Sequence, residues 1–424
     1  MKINAPKGTR DILPDESSAW QWLEQTFADI CHLHAYQEIR VPTFEQTDLF
    51  QRGVGDTTDV VQKEMYTFDD KGGRSMTLRP EGTAGVVRSY LENGMASWPS
   101  PVRLFYNMTA FRYENVQKGR YREFHQFGCE AFSAAGPEID AELISLIDLF
   151  FQRLGLSQTS LQINSIGCPV CRTAYHTQLR AWLQPRVASL CPTCQGRFEK
   201  NPLRILDCKE ERCQQATAEA PLLIDHLCPD CDTHFEALKN ELTLLDLPFC
   251  VNPRIVRGLD YYTRTVFEFI SDHVGTQGTI CGGGRYDGLI ETMGGPATPG
   301  IGFALGVERL LMELQAQGVK LPGPETADLY LAAAGSAGPQ VRRLSRQMRQ
   351  AGIRAETDLT GRSLKAQIKY AARRGIRFLL VIGDDELNRK SARLRRLSDG
   401  SESDVSLDDL SQLMELTQHN KQEA

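Results

Sequence analysis

The chain has 424 residues, 41% of them hydrophobic, which is enough apolar material for two or three cored domains and too much for a disordered chain. A formal net charge of -6 excludes a uniformly basic nucleic-acid coat, so any RNA contact has to come from a local patch. The opening MKINAPKGTRDILPDE lacks an apolar run and no later window approaches membrane-spanning length; this predicts a cytoplasmic protein without a membrane partner, whose twelve cysteines stay reduced.

Apolar residues at helical spacing (Trp20, Leu23, Phe27, Ile30) predict a first helix over 17–35, after Pro14-Asp-Glu. Residues 38–41 read as a short extended segment ended by Pro42, and 75–78 and 102–106 as strands. Residues 105–130, FYNMTAFRYENVQKGRYREFHQFGCE, predict a hairpin around an anionic ligand: an apolar strand ending in Arg112, a charged loop carrying Arg120, and an alternating return strand. Period two places Arg122, Phe124, Gln126, Gly128 and Glu130 on one face, with Tyr121, Glu123, His125, Phe127 and Cys129 on the other. Gly128 would let a small molecule lie against the sheet between Gln126 and Glu130. The guanidinium forks of Arg112 and Arg120 suit phosphate oxygens.

A helix over 139–154 and a strand at 161–163 follow, and then the composition changes. Residues 167–250 are helix-rich, hold most of the cysteines, and form an insertion between two halves of one sheet. Strands resume at 266–270, 278–281 and 300–303, with a helix over 307–314. The Pro/Gly-rich stretch 318–326 is a linker. Beyond it strands at 329–333, 354–356 and 378–383 alternate with helices over 340–351 and 363–374, the order of a small parallel or mixed α/β domain. Residues 341–396 hold sixteen Lys or Arg against five Asp or Glu, so the basic charge the whole chain lacks is concentrated here.

In the insertion, Cys168-Pro-Val-Cys171 is followed after nineteen residues by Cys191-Pro-Thr-Cys194, then Cys208, Cys213 and Cys228-Pro-Asp-Cys231. The first two pairs have zinc-ribbon spacing, which predicts a structural zinc on Cys168, Cys171, Cys191 and Cys194; the full set would supply one or two tetrahedral sulfur sites, and the alternative is reduced thiols in a helical module. No G-x-x-x-x-G-K-[ST] loop occurs, and Gly282-Gly-Gly284 does not fit the dinucleotide fingerprint. Nucleotide binding therefore has to use side-chain cations on strands.

The segment around Arg112 resembles motif 2 of the class II aminoacyl-tRNA synthetases, and Gly300-Ile-Gly-Phe-Ala-Leu-Gly-Val-Glu-Arg309 resembles motif 3. Arg257-Gly-Leu-Asp-Tyr-Tyr262 and Cys281-Gly-Gly-Gly-Arg-Tyr-Asp-Gly288 resemble the two signatures peculiar to the histidyl-tRNA synthetase family. Leu78-Arg-Pro-Glu-Gly-Thr83, Lys7-Gly-Thr-Arg-Asp11 and Arg40-Val-Pro-Thr-Phe-Glu45, at the place of motif 1, fit as well. The resemblance runs through nearly the whole chain. It implies an α+β catalytic domain with an antiparallel sheet flanked by helices, split into 1–166 (motifs 1 and 2) and 251–320 (motif 3). The helical cysteine-rich insertion lies at 167–250 and a C-terminal α/β anticodon-binding domain at 327–424. It further implies a homodimer meeting at motif 1, ATP and Mg²⁺ as cofactors, and L-histidine and histidine tRNA as partners.

The same resemblance assigns roles. Arg112 grips the α-phosphate of ATP, Glu114 meets the adenine side, and Arg120 reaches the outer phosphates. Arg257, opposite Arg112, contacts the α-phosphate and the histidine carboxylate, where related enzymes use a metal ion. Arg309 stacks on adenine, with Gly302 and Gly306 leaving room for the ring. Glu81, Thr83 and Gln126 read the α-amino group, and Glu130, Tyr262 and Tyr286 the imidazole. No protein nucleophile is needed, so Cys129 and Cys281 are packing residues. Lys365, Lys369, Arg373 and Arg374, at helical spacing, suit RNA phosphates. Residues 388–404 are more basic than the family leads one to expect, which leaves the last strand pairing open. The rival reading is the histidyl-synthetase-like regulatory subunit of ATP phosphoribosyltransferase, which usually lacks the C-terminal domain and several catalytic residues. Arg112, Arg257 and Arg309 stand against it here. A zinc-bearing RNA-binding module without catalysis leaves the Glu81, Gln126, Glu130, Tyr262 and Tyr286 set unexplained.

Overall fold

The computed structural model describes residues 3–55, 58–271 and 278–418, so the final residues of the expected C-terminal domain lie outside the described ones. The chain divides into two compact units, residues 1–322 and 323–424. In the first, the strands in chain order are Gln37–Glu38 (β1), Phe44–Gln46 (β2), Tyr66–Asp69 (β3), Ser75–Leu78 (β4), Val102–Phe111 (β5) and Glu123–Phe132 (β6). Ser160–Ser165 (β7), Phe249–Val251 (β8), Thr263–Ile270 (β9), Thr279–Arg285 (β10) and Gly300–Gly306 (β11) complete the set. A small antiparallel sheet has the order β2-β4-β3, and the other eight strands form one sheet in the order β1-β5-β6-β11-β10-β9-β7-β8. Its central pairings are antiparallel, but β1 runs parallel to β5 and β8 parallel to β7, so the predicted antiparallel sheet carries a parallel strand at each edge.

β10 and β11 outrun their sequence prediction, continuing to Arg285 and Gly306, whereas β5 stops at Phe111, just before the Arg112 of the predicted hairpin. The added residues include glycines and polar side chains that propensity reads as breakers. In the centre of a sheet, neighbours on both sides supply ladder bonds that outweigh that local preference.

One face of the sheet is covered by the helices Pro14–Leu33 and Glu138–Leu154. Their apolar stripes meet Phe127, Cys129, Cys281 and Phe303, which makes the two cysteines packing residues as predicted. Phe27 anchors this core, stacked on Phe127 with ring centroids 4.7 Å apart and edge-on to Phe150 at 5.3 Å. Each such ring pair adds about 0.5–1.5 kcal/mol beyond its buried area. The opposite face of β6 carries Gln126, Gly128 and Glu130, as period two requires.

Residues 167–250 fold into helices at Pro169–Leu183, Pro192–Lys200, Glu211–Ala216 and Pro229–Leu244. Three of these start at the proline of a Cys-Pro-x-Cys pair with the preceding cysteine as N-cap, since proline's fixed φ suits the first turn and its missing N–H costs nothing there. The insertion is tied to the sheet through Asp140, which is wholly buried. Asp140 accepts from His234 Nε2 at 2.9 Å, Thr265 Oγ1 at 2.7 Å and Arg285 Nε at 3.0 Å, with Arg285 Nη2 2.7 Å from its second oxygen. A helix, two strands and the insertion therefore meet on one carboxylate.

The second unit is a five-stranded sheet of Leu329–Ala333 (β12), Ala355–Thr357 (β13), Phe378–Ile382 (β14), Ser391–Arg396 (β15) and Glu402–Ser406 (β16), in the order β13-β12-β14-β15-β16. The first three are mutually parallel and the last two antiparallel, a mixed sheet with helices on both faces. The basic stretch left open by the sequence is the β15–β16 hairpin. Ala392 and Leu394 point into the core, while exposed Arg393 lies 3.3 Å from Glu402 and 3.8 Å from Asp404. Lys365, Lys369 and Arg373 are exposed at four-residue intervals along the helix Leu364–Arg373 and its end.

Because Asp140→Ala would leave the Arg285 guanidinium buried without its counter-charge, the substitution should cost about 3–5 kcal/mol in guanidinium unfolding. A loss below about 1 kcal/mol would mean that the carboxylate does not hold the sheet and the insertion together.

Candidate active site

Arg112, Arg120 and Arg257, expected to act on phosphate, line one cleft of about 690 Å³. Arg112 ends β5 and is aimed by donating Nε to the Pro80 carbonyl at 2.8 Å, with its guanidinium over the Phe124 ring at 5.4 Å. Glu114 lies between two arginines, 3.9 Å from Arg112 and 3.3 Å from Arg120. Arg257 is paired with Glu268, whose other oxygen accepts from Thr279 Oγ1 at 2.9 Å. Burial alone would lower the Arg257 pKa, but the Glu268 charge more than reverses this and keeps it firmly protonated. Its Nε is buried with no protein acceptor. Arg309, on the helix Val307–Ala316, donates Nη1 to the Thr279 carbonyl at 2.6 Å and is not among the residues lining this cleft.

From the cleft a row of rings leads inward. The Arg257 guanidinium lies 5.7 Å from the Tyr262 ring, Tyr262 packs on Tyr261 at 4.6 Å, and Tyr261 meets Tyr286 edge-on at 5.6 Å. The row ends at Glu130, which no solvent reaches. Its carboxyl is held by the hydroxyls of Thr83 at 2.7 Å, Tyr106 at 3.2 Å and Tyr286. Burial pushes its pKa up to about 8, even though the Tyr286, Thr83 and Tyr106 hydrogen bonds favour the charged form. Beside it Glu81 caps the helix Thr83–Glu92, accepting from the Thr83 and Ala84 amides at 2.9 and 2.8 Å. Burial raises the Glu81 pKa too. Gln126 is buried, and its Oε1 has no protein donor. An orphaned amide oxygen costs about 1–3 kcal/mol, so this one suits a ligand donor such as an ammonium group.

Two glycine assignments are corrected by this geometry. Gly128 does not floor a ligand pocket: Tyr106, directly opposite it on β5, lies over it, and a Cβ there would strike the ring. Gly302 does not make room for adenine, because the space above it is taken by the Glu130 carboxylate from the paired position on β6. Gly282 plays the same part for Arg257. Tyr106, Tyr261 and Glu268 belong to the site and were not picked out by the sequence reading. Pairing register brings two of them in: Tyr106 faces Gly128 and Glu268 faces Gly282.

The cysteine assignment also changes. Cys168, Cys171, Cys191 and Cys194 do not form one set; the sulfurs gather as Cys168, Cys171, Cys228, Cys231 and as Cys191, Cys194, Cys208, Cys213, each group within 4.8 Å. Chain spacing shows which cysteines are near in sequence, whereas the helical path between them brings the later pairs back. Zinc bound to four sulfurs at about 2.3 Å sets them about 3.8 Å apart. The Cys168–Cys171, Cys168–Cys228 and Cys191–Cys208 separations are 3.6, 3.9 and 3.9 Å, and no cysteine is in a disulfide. Backbone amides of Cys228 and Cys191 point at Cys171 Sγ and Cys213 Sγ, both at 3.1 Å, the bonds that steady thiolate ligands. Both groups are therefore able to hold a tetrahedral metal ion.

Comparison with known proteins agrees with this geometry. The family described as histidyl-tRNA synthetase matches residues 8–173 and 203–310, and the anticodon binding domain family matches 328–415. A histidine–tRNA ligase of Acetivibrio thermocellus is 59% identical over 97% of this chain and 99% of its own length. The crystal structure of apo S. aureus histidyl-tRNA synthetase is 39% identical, with a TM-score of 0.83 over 99% of both chains. A structure described as an ATP phosphoribosyltransferase regulatory subunit/histidyl-tRNA synthetase from Bacillus halodurans is similar in fold alone, at 20% identity over 90% of this chain and 98% of that one, with a TM-score of 0.63. With a family match across both halves of the sheet and a close relative along nearly its whole length, the chain belongs to the histidyl-tRNA synthetase family of class II aminoacyl-tRNA ligases.

Proposed function

We propose that the cleft activates L-histidine with ATP, releasing pyrophosphate, and passes the histidyl group from the adenylate to the 3′-end of histidine tRNA. The observation that carries this reading is the convergence of Arg112, Arg120 and Arg257 on one cleft that leads, ring by ring, to the buried Glu130. Attack of a carboxylate on the α-phosphorus brings two anions together. Arg112 and Arg257 offset that charge, and the fixed Glu268 pair keeps Arg257 from reorganising as it does so. Mg²⁺ bound with the nucleotide would supply further positive charge to its phosphates. Arg120 takes the outer phosphates, and Glu114 and Arg309 the adenine side. Glu81 and Gln126 Oε1 receive the α-ammonium; Thr83 donates to Glu130 and keeps its lone pairs for the same group. Glu130, Tyr262 and Tyr286 read the imidazole. A ring lacking those nitrogens would leave buried groups unpaired, which selects strongly without an editing site.

The finer assignments follow the same reading. A structural zinc sits in the insertion. The protein is cytoplasmic, and no described helix is long and apolar enough to cross a membrane. It works as a homodimer through the segment at 40–45, where Phe44, 52% exposed, packs against Phe68, 44% exposed on the same small sheet, and both would gain cover from a second copy. Sedimentation should therefore give twice 47.5 kDa.

Histidine-dependent exchange of pyrophosphate into ATP should fall about 10²–10³-fold in Arg257→Ala. Wild-type exchange driven by another amino acid instead of histidine would overturn the substrate. The raised Glu130 pKa has a sign that can be checked in the free protein. Folding favours its protonated form, so the stability it contributes is complete below the ordinary carboxylate range and is lost as pH rises towards about 8, at no more than about 1.4 kcal/mol per pH unit. Glu130→Gln should flatten that decline in urea unfolding; parallel curves for the two proteins would rule the shift out. Replacing Lys365, Lys369 and Arg373 with alanine should raise KM for tRNA about tenfold at physiological salt and leave pyrophosphate exchange unchanged. An unchanged KM would remove this helix from the RNA surface.

A further inference from the structure

The cysteine groups have separate surroundings, and one of them borders the arginine cleft. Cys191 and Cys208 are in the wall that faces Arg112, Arg120 and Arg257. The stretch between them is short, begins with the helix Pro192–Lys200, and carries three side chains that reach out to the catalytic sheet's loops. Arg197 and Arg204 both pair with Asp59, at 3.2 and 3.4 Å, and Asn201 donates to Asp260 at 3.0 Å. Asp59 precedes the helical turn Val60–Glu64, whose Glu64 carbonyl accepts from the Tyr113 amide at 2.7 Å, next to Arg112. Asp260 lies three residues after Arg257. The loop that these cysteines close therefore contacts both neighbouring segments, one bonded beside Arg112 and one following Arg257.

We propose that the insertion holds two independent zinc ions, and that the one on Cys191, Cys194, Cys208 and Cys213 is a positioning centre for the nucleotide side of the active site. The donor chemistry is the same at both groups: four sulfurs within 4.8 Å of one another. At the positioning centre Cys194 N lies 3.4 Å from Cys191 Sγ and Cys191 N 3.1 Å from Cys213 Sγ, so backbone dipoles support the bound thiolates. Four thiolates around one Zn²⁺ fix the ends of the loop rigidly. Phe198, Leu203, Ile205 and Leu206 anchor the middle of the loop in the insertion's core, and the ion adds fixed ends that hold Arg197, Asn201 and Arg204 in register with two aspartates. The ion takes no part in phosphoryl transfer. It acts through the Arg197–Asp59–Arg204 and Asn201–Asp260 contacts on the spacing of Arg112 and Arg257.

This inference rests on the proposed histidine activation, and the two can fail separately. If the activation reading is wrong, the wild-type protein gives no histidine-dependent exchange whatever its metal content. For the inference itself, metal analysis of the purified full chain should give two zinc ions, and Cys208→Ser should leave one. Replacing zinc with Co²⁺ should produce the intense d–d bands of a tetrahedral thiolate site, reduced by about half in Cys208→Ser. In pyrophosphate exchange Cys208→Ser should raise KM for ATP about tenfold and change KM for histidine less than about twofold. Arg197→Ala combined with Arg204→Ala should reproduce the ATP shift while keeping both ions, which covers the case in which Cys208→Ser does not fold. Fewer than two zinc ions in the active wild type would overturn the proposal, as would an ATP KM unmoved in both variants.

Discussion

Across the active face of the sheet, the residue opposite a functional side chain is repeatedly one without a Cβ. Tyr106 faces Gly128, Glu130 faces Gly302 and Glu268 faces Gly282. On an ordinary pleated sheet these side chains would stand upright and crowd one another. Here Tyr106 and Glu130 fold flat over the neighbouring strand, and Arg257, coming from outside the sheet, lies across Gly282 to reach Glu268. The glycines give depth to a surface that a β-sheet would otherwise present as nearly flat.

That close packing sets the electrostatics. Glu130 is cut off from water and surrounded by hydroxyls, which hydrogen-bond the charged form but do not carry a positive charge to balance it, so the carboxyl holds its proton. Arg257 is also largely buried but has Glu268 as counter-charge, so it stays charged. The two ends of the row of tyrosines are thus different: one is a neutral carboxyl suited to share a proton with a ring, the other a fixed cation suited to an anion. Behind the sheet, Asp140 joins the helix Glu138–Leu154, two strands and the insertion, and holds Arg285 beside Tyr286. The strand end that presents Tyr286 is thereby anchored by a buried ion pair.

The second unit uses its charge in another way. Its basic residues are on the outside of a helix and a hairpin, and the apolar residues of β15 alternate with them into the core. Part of that charge is already answered, as Arg393 faces Glu402 and Asp404, and Arg354 and Arg377 share Asp328. Among the described residues no ion pair engages Lys365, Lys369 or Arg373, so this helix offers the more open surface to an anionic polymer.

The sequence by itself determined the two long amphipathic helices behind the sheet, the hairpin face of Gln126 and Glu130, and the arginines, because these depend on local periodicity and on side-chain chemistry at close spacing. It also carried the motifs by which the family resemblance was drawn. Only the tertiary structure decided which strands lie beside one another, and with that the reason for each glycine, the inclusion of Tyr106, Tyr261 and Glu268, and the pairing of eight cysteines into two groups. Glu130 and Gly302 are far apart on the chain, and a cysteine pair says nothing of the turn that brings its partners back. Such contacts are set by register and by the path of the insertion, which are properties of the packed whole and leave no local pattern to read.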